Sequence, residues 1–443
     1  MDAFSTPIPR GTEHPTHCPN HNCEYHQPKQ GWRYKKAGTF PRRRKETVAV
    51  QSAWPAGSGK QAHGRNRDQG RRQDRHNGQA EHPNHGPERH PSKDQTGSRP
   101  PGQVRDRDRS LTERIQRFRC HHCGRTFSSS AFAATYWLRH RHLLIPIAQL
   151  AVSGAGLRQI ARSLGISHST VGRHIARAAR QCLLLHSNFL TDNPLTESVA
   201  VDGFETYEYS QYFPCHFHLA IGRDTWLIQG FTDSPLRRKG RMTPGQKRER
   251  ARLEKKLGRP DPKAVEKDMG LLIEELLDLI PPGEQLHLVS DEHPAYTRAI
   301  AKIEDARRIS VHRTKVSSRA ERTPENPLFV INATDSFLRH SQANHRRETI
   351  AASKRRQMGA ERLALFVVWR NMIKRHFENG PVESSAMLGG WTDRMWDWGD
   401  VFRRRLFRGH VALPRRWGEY YDRTVKTQVY EDRQVVHACK YAC

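Results

Sequence analysis

The chain has 443 residues and carries 75 Lys+Arg against 46 Asp+Glu, a formal net charge of +29. That length allows two or three domains with at least one sizeable core, and that charge favours polyanionic partners, nucleic acid first. No run of about 18 apolar residues exists to span a bilayer. Met1–Arg10 lacks the layout of a secretory signal, and eight unevenly spaced cysteines exclude a disulfide scaffold. A reducing, cytoplasmic setting is therefore expected.

Residues 1–33 form a polar block holding Cys18 and Cys23, with four residues between them in CPNHNC. Residues 34–110 are read as a disordered basic linker, because their Arg/His-rich centre cannot bury enough apolar surface to offset the entropy of ordering. Residues 111–135 contain RFRCHHCGRTF, a strand, a knuckle and a second strand, with Cys120 and Cys123 spaced as metal ligands. A shared structural Zn²⁺ held by Cys18, Cys23, Cys120 and Cys123 is expected. His17, His21, His121 and His122 are spare candidates.

Residues 136–190 read as a helix-turn-helix domain. Leu157, Ile160, Ala161 and Leu164 recur at helical spacing, Gly165 breaks the helix, and Ser167 or Ser169 can cap the next. Val171, Ile175, Ala178 and Cys182 then form the inner face of the second helix. Ser169, Thr170 and Arg173 lie near its start, where base edges of double-stranded DNA would be read; Arg177 and Arg180 would meet phosphates.

Residues 195–378 read as a second, α/β domain. Three strands lie between Val199 and Phe231, followed by a basic insertion at 236–262 that is read as a phosphate-contacting arm. A helix over Ala264–Ile280 and a strand ending at Asp291 come next. Asp202 and Asp291 each end an apolar strand, and strand-end carboxylates held side by side suit divalent cations such as Mg²⁺. Three strands, a helix and a strand ending in Asp suit a ribonuclease-H-like mixed sheet. A third acid is open among Glu325, Asp335 and Glu348. If the helical tract from about Thr334 is continuous, Glu348 lies about 20 Å along and about 220° round from Asp335, too far to share one site. The stretch 360–377 reads as buried helical core, and 379–443 as a basic, aromatic C-terminal extension.

The order of cysteine pairs, helix-turn-helix, Asp202 and Asp291 resembles bacterial insertion-sequence transposases of the insertion-sequence-one type. So do Leu338-Arg339, Arg346-Arg347 and Ala352-Ser353-Lys354 beyond them. The resemblance covers roughly residues 115–378. It implies a DDE recombinase in which Asp202 and Asp291 are the first two ligands of Mg²⁺ or Mn²⁺. In the family a Glu stands three residues before an Asn, ahead of the Leu-Arg pair; here those positions hold Asn332 and Asp335. Asp335 would then be the third ligand, or the site is impaired, and Arg339 would contact substrate phosphate. The implied partners are element ends and target DNA, with a homo-oligomer assembled on the DNA near the nucleoid. The competing expectation is a zinc-containing helix-turn-helix regulator with an inactive nuclease-like domain.

Overall fold

The computed structural model describes residues 14–43, 112–347 and 349–429. The described residues of 14–40 and 115–429 belong to one compact unit, and those of 41–43 and 112–114 to a second. No helix among the described residues is long and apolar enough to cross a membrane.

Three strands form a small N-terminal sheet in the order β1 (Tyr34–Arg43), β2 (Thr112–Cys120), β3 (Thr126–Ser128). β2 and β3 are antiparallel, with Phe118 opposite Phe127. β1 corrects the expected linker boundary. Tyr34–Arg43 is strand, and the Tyr34 ring packs edge-on against Phe118 at 5.3 Å. Basic composition concealed the strand, since this sheet is too small to need an apolar one. The expected linker beyond Arg43 lies outside the described residues.

The helix-turn-helix follows as α1 (Leu144–Ala151), α2 (Leu157–Ser163) and α3 (His168–Asp192). Gly165 takes φ +63° in the turn, a conformation that a residue with a Cβ adopts at a cost. Ile166 N–H then closes back on the Ala161 carbonyl at 3.0 Å. Ser167 caps α3, its hydroxyl accepting from Thr170 N–H at 3.2 Å. Ile160, Val171 and Ile175 pack with Ile147 and Ala148 in one core, as their spacing requires.

A five-stranded sheet forms from β4 (Val199–Tyr207), β5 (Pro214–Gly222), β6 (Ile228–Pro235), β7 (His287–Asp291) and β8 (His312–Val316), in the order β6-β5-β4-β7-β8. β4, β5 and β6 are antiparallel neighbours, whereas β7 runs parallel to both β4 and β8. This is the ribonuclease-H-like arrangement expected from the order of strands. The exposed basic helix α4 (Pro244–Leu257) and then α5 (Ala264–Leu277) connect β6 to β7, and α6 (Pro294–Arg307) connects β7 to β8. α5 and α6 cover one sheet face through Met269, Leu272, Ile273 and Tyr296, against Val199 and Val201.

The opposite face, carrying Ala200, Phe204, Phe217 and Val289, is covered by α3, α7 (Phe329–Ser341) and α8 (Arg356–Val368), within the same core as the helix-turn-helix. Arg362 on α8 donates to the carbonyls of Ala151 and Ala155, at 2.7 and 3.0 Å, fastening the turn after α1 to the sheet domain. Val368 runs into a π-helical turn at Trp369–Ile373, and the buried residues of this stretch are core, as read. The C-terminal part adds α9 (Ser385–Leu388), α10 (Trp398–Val401) and α11 (Arg415–Asp422), and buries Trp398, Phe402, Trp417, Tyr420 and Tyr421 in that core. Its charged anchor is Asp233 on β6, fully buried between Arg356 at 2.8 Å and Arg416 at 2.7 Å.

Candidate functional site

The two cysteine pairs meet. Cys18, Cys23, Cys120 and Cys123 place their sulfurs within 4.8 Å of one another, with Cys18–Cys123 at 3.7 Å and Cys23–Cys120 at 3.9 Å. A tetrahedral Zn²⁺ with Zn–S of about 2.3 Å sets its sulfurs about 3.8 Å apart, so the set fits zinc. Burial pushes the Cys120 thiol up, but the Trp32 indole N–H, at 3.3 Å, and the backbone N–H groups of Cys123 and His122 outweigh it and bring it to about 7. A thiolate is the form a metal binds. The spare histidines are engaged elsewhere where contacts exist: His122 lies 3.3 Å from Glu24, and His17 packs against Phe132, Phe407 and His410.

On the helix-turn-helix, His168, Ser169 and Arg173 of α3 are exposed, together with Arg158 and Arg162 of α2. The hydroxyls of Ser169 and Thr170 bond Ser167 Oγ, at 3.0 and 2.8 Å, and so share in the cap. Arg177 and Arg180 correct the sequence reading. Both are buried and cannot reach phosphate as placed: Arg177 donates to the Tyr136 carbonyl and Arg180 to that of Tyr421, each at 2.8 Å. Their helical spacing from Arg173 is as expected, but residues 131–136 and 404–421 cover that part of the stripe.

The aspartates sit at the sheet. Val201 pairs with Ser290 in the parallel β4–β7 ladder, so the next residues, Asp202 and Asp291, lie side by side. Side chains alternate along a strand. Asp202 therefore shares the face of Ala200 and Phe204, and Asp291 that of Val289, the face covered by α7. Asp335 is in the middle of α7, not at its first turn, so it does not serve the helix dipole there. Its place is fixed by Leu338, buried one turn on, and by Arg339, whose guanidinium lies 5.4 Å from the Phe204 ring and donates to the Glu205 carbonyl at 3.2 Å.

The three charges act on one another. Burial pushes the Asp202 carboxyl up to about 7; the Gly203 N–H at 2.7 Å opposes this, while Asp291 and Asp335 push it further up and Arg322 holds it down. Asp291 accepts from His293 N–H at 3.0 Å, and both oxygens of Asp335 lie 3.0–3.1 Å from Arg339 Nε. Arg339 is thus an ion-pair partner of Asp335 in this state. Unlike the cysteines, the three aspartates do not bring one oxygen each within 4.8 Å of all the others. A pair of cations bridged by a shared carboxylate does not need them to, since two such ions stand about 4 Å apart. The donor set itself, three half-buried carboxylates of which Asp202 resists ionisation, fits hard dications.

Glu325 lies exposed in the loop before α7, its carboxylate held by Thr323. α7 ends at Ser341, so the continuous helix considered for Glu348 does not form, and Glu348 itself lies outside the described residues. Two neighbours were missed by sequence reasoning. Arg322 bears on Asp202 from the loop after β8, and half-buried His216 on β5 lies beside Gly203, where a Cβ would come within 2.7 Å of its Nε2. Burial brings His216 down to about 4, so it is neutral at physiological pH. Neither belongs to a recognisable local motif, and only the fold brings them in.

A family model described as a helix-turn-helix domain, of a kind found in transposase-like proteins, matches residues 146–178, which span α1, α2 and the first part of α3. The chain thus has a DNA-binding domain. No curated protein matches it significantly.

Proposed function

We propose that this protein is a DNA transposase of the DDD type. It binds the terminal inverted repeats of its element through α2 and α3, cuts the ends, and joins them to target DNA. The observation that carries the reading is the register that sets Asp202 beside Asp291 where the parallel pairing of β4 with β7 stops, with the charge of Asp335 acting on Asp202 from α7.

Asp202, Asp291 and Asp335 would hold Mg²⁺ or Mn²⁺, which when bound supplies Lewis acidity at the phosphate and lowers the pKa of attacking water or 3′ hydroxyl. The chain's own residues position and screen. Arg339, the ion-pair partner of Asp335, would contact a substrate phosphate, and Arg173 and Arg158 would hold the duplex. A Zn²⁺ held by the four cysteines would be structural, since four thiolates would leave it no position for substrate. Oligomerisation on paired element ends belongs to the same reading, since two ends require two active sites.

Strand transfer of labelled element ends in Mg²⁺ tests the reading: Asp202→Ala and Asp291→Ala should abolish it. Joining at the parental level would refute it. Two observations favour the second reading, a DNA-binding regulator with an inert domain: Asp335 is ion-paired with Arg339, and Asn332 stands where a carboxylate is expected. That reading requires specific binding with no cleavage in Mg²⁺ or Mn²⁺.

A further inference from the structure

Burial removes Arg177 and Arg180 from the basic stripe of α3, but the segments that cover them bring charge of their own. Between Glu113 and Asp192 the chain has no Asp or Glu. Trp137, Arg139, His140 and His142, just before the helix-turn-helix, are exposed, and so are Arg403 and Arg404 in the C-terminal part. None of them lies in the stretch 146–178 that the family model matches.

Both segments are fastened to α3 beyond the exposed Arg173. One turn on, Arg177 donates to the Tyr136 carbonyl at 2.8 Å, and two turns on, Gln181 donates to the Arg404 carbonyl at 2.8 Å. These anchors stand about 6 and 12 Å along the helix axis from Arg173. His174 adds a third, its Nε2 lying 2.9 Å from the His140 carbonyl. The two segments also hold each other. Arg405 N–H donates to the Phe132 carbonyl at 2.8 Å, and its guanidinium lies 5.2 Å from the Tyr136 ring centre. Asp400, three residues before Arg403, is bonded by Arg394 at 2.6 Å. Trp137 is held at φ +66°, a left-handed conformation that is costly for a bulky residue. Its ring meets Tyr136 edge-on at 5.8 Å, yet the residue stays 59% exposed. Hydrophobic burial does not account for a strained, exposed tryptophan, and such strain is characteristic of places that meet a ligand.

We infer that residues 137–142, with Arg403 and Arg404, form a second contact with double-stranded DNA, outside the helix-turn-helix. Arg139, Arg403 and Arg404 meet phosphates on the flank of the duplex that α3 enters, and Trp137 packs against the sugars beside them. The contact is independent of base sequence and lengthens the footprint of the recognition helix. It rests on duplex binding by the helix-turn-helix and not on DNA cleavage.

The full-length zinc-loaded chain should be titrated onto a labelled random-sequence duplex of about 40 base pairs, from about 50 to about 200 mM salt, with binding read by anisotropy. Arg139→Gln, Arg403→Gln and Arg404→Gln, combined, should lower the salt slope by about 0.9 per replacement and leave the thermal midpoint unchanged. Trp137→Asn, which tolerates the left-handed backbone, should weaken binding at least about 5-fold without changing the slope. Should a variant fail to fold, the parent alone decides: bound duplex should protect Trp137 from oxidation by N-bromosuccinimide, read by peptide mass spectrometry. A parental slope in the triple variant would overturn the inference, and so would equal oxidation of Trp137 with and without DNA. Arg173→Ala is the control. If it alone lowers the slope, the contact is confined to the helix-turn-helix; if it too has no effect, duplex binding by α3 fails and the inference falls with it.

Discussion

The four cysteines and the three aspartates are both sets of anionic ligands gathered from distant parts of the chain, yet they are built oppositely. The cysteines are closed on one another to tetrahedral spacing, three of the four buried and packed with Tyr25, Trp32 and Phe127. Of the aspartates, Asp202 and Asp291 stand on adjacent inner strands of a rigid sheet and Asp335 on α7; they do not close to within 4.8 Å as the cysteines do, and one carboxyl resists ionisation. A complete shell leaves no position for substrate, whereas a spread one leaves room for it. The contrast separates a metal that holds the fold from metals that would do chemistry.

Four outcomes would break or sharpen it. The largest effect falls on the cysteines. Cys120→Ser, or a strong chelator, should release one zinc per chain and unfold the N-terminal sheet, read by metal analysis and by proteolysis of residues 14–43; structural zinc is worth about 10 kcal/mol or more in small domains. Next come Asp202→Ala and Asp291→Ala, which should lower strand transfer by at least about 100-fold while leaving DNA affinity and zinc content unchanged.

The third effect concerns pH. Because Asp202 is raised to about 7 in the fold from an ordinary value of 3.8, the folded chain holds a proton that the unfolded chain has lost. Its contribution is therefore favourable below about pH 4 and is lost as pH rises through about 7. Chemical denaturation of Asp202→Asn without Mg²⁺ should show a shallower decline over that window than the parent. Added Mg²⁺ should bind more tightly to the parent as pH rises through the same range. The smallest effect separates two arginines of one helix. Arg173→Ala should weaken DNA binding uniformly and reduce the salt slope by about 1, whereas Arg177→Gln should lower the thermal midpoint; reversed behaviour would mean that the covered stripe opens on DNA.

Much of this was legible in the residues. The knuckle and the helix-turn-helix rest on short-range patterns, a spacing of ligands or a period of apolar residues, and form as read; Asp291 ends β7 as expected, whereas β4 runs on past Asp202 to Tyr207 because β5 continues to pair with it. What was not legible is what covers what. Arg173 and Arg177 are equivalent by helical spacing, and only the packing of residues 131–136 and 404–421 makes one a surface group and the other a core group. Tyr34–Arg43 has the composition of a linker and becomes a strand because a neighbouring hairpin offers it an edge. β8, HRTKV, has no apolar alternation to announce it; it is recruited by β7, with His312 opposite His287. Arg322 and His216 reach Asp202 through the fold alone.

The direct join between α3 and the sheet has a mechanical consequence. α3 runs for 25 residues, about 37 Å at helical rise, and only residues 193–198 separate its end from β4. Arg362 and the shared core leave no slack between the exposed start of α3 and the strand that carries Asp202. Under the proposed function the protein measures DNA with its own backbone. The offset between the bases it reads and the phosphate it attacks is a fixed length, so one base pair inserted between them would turn the target out of reach.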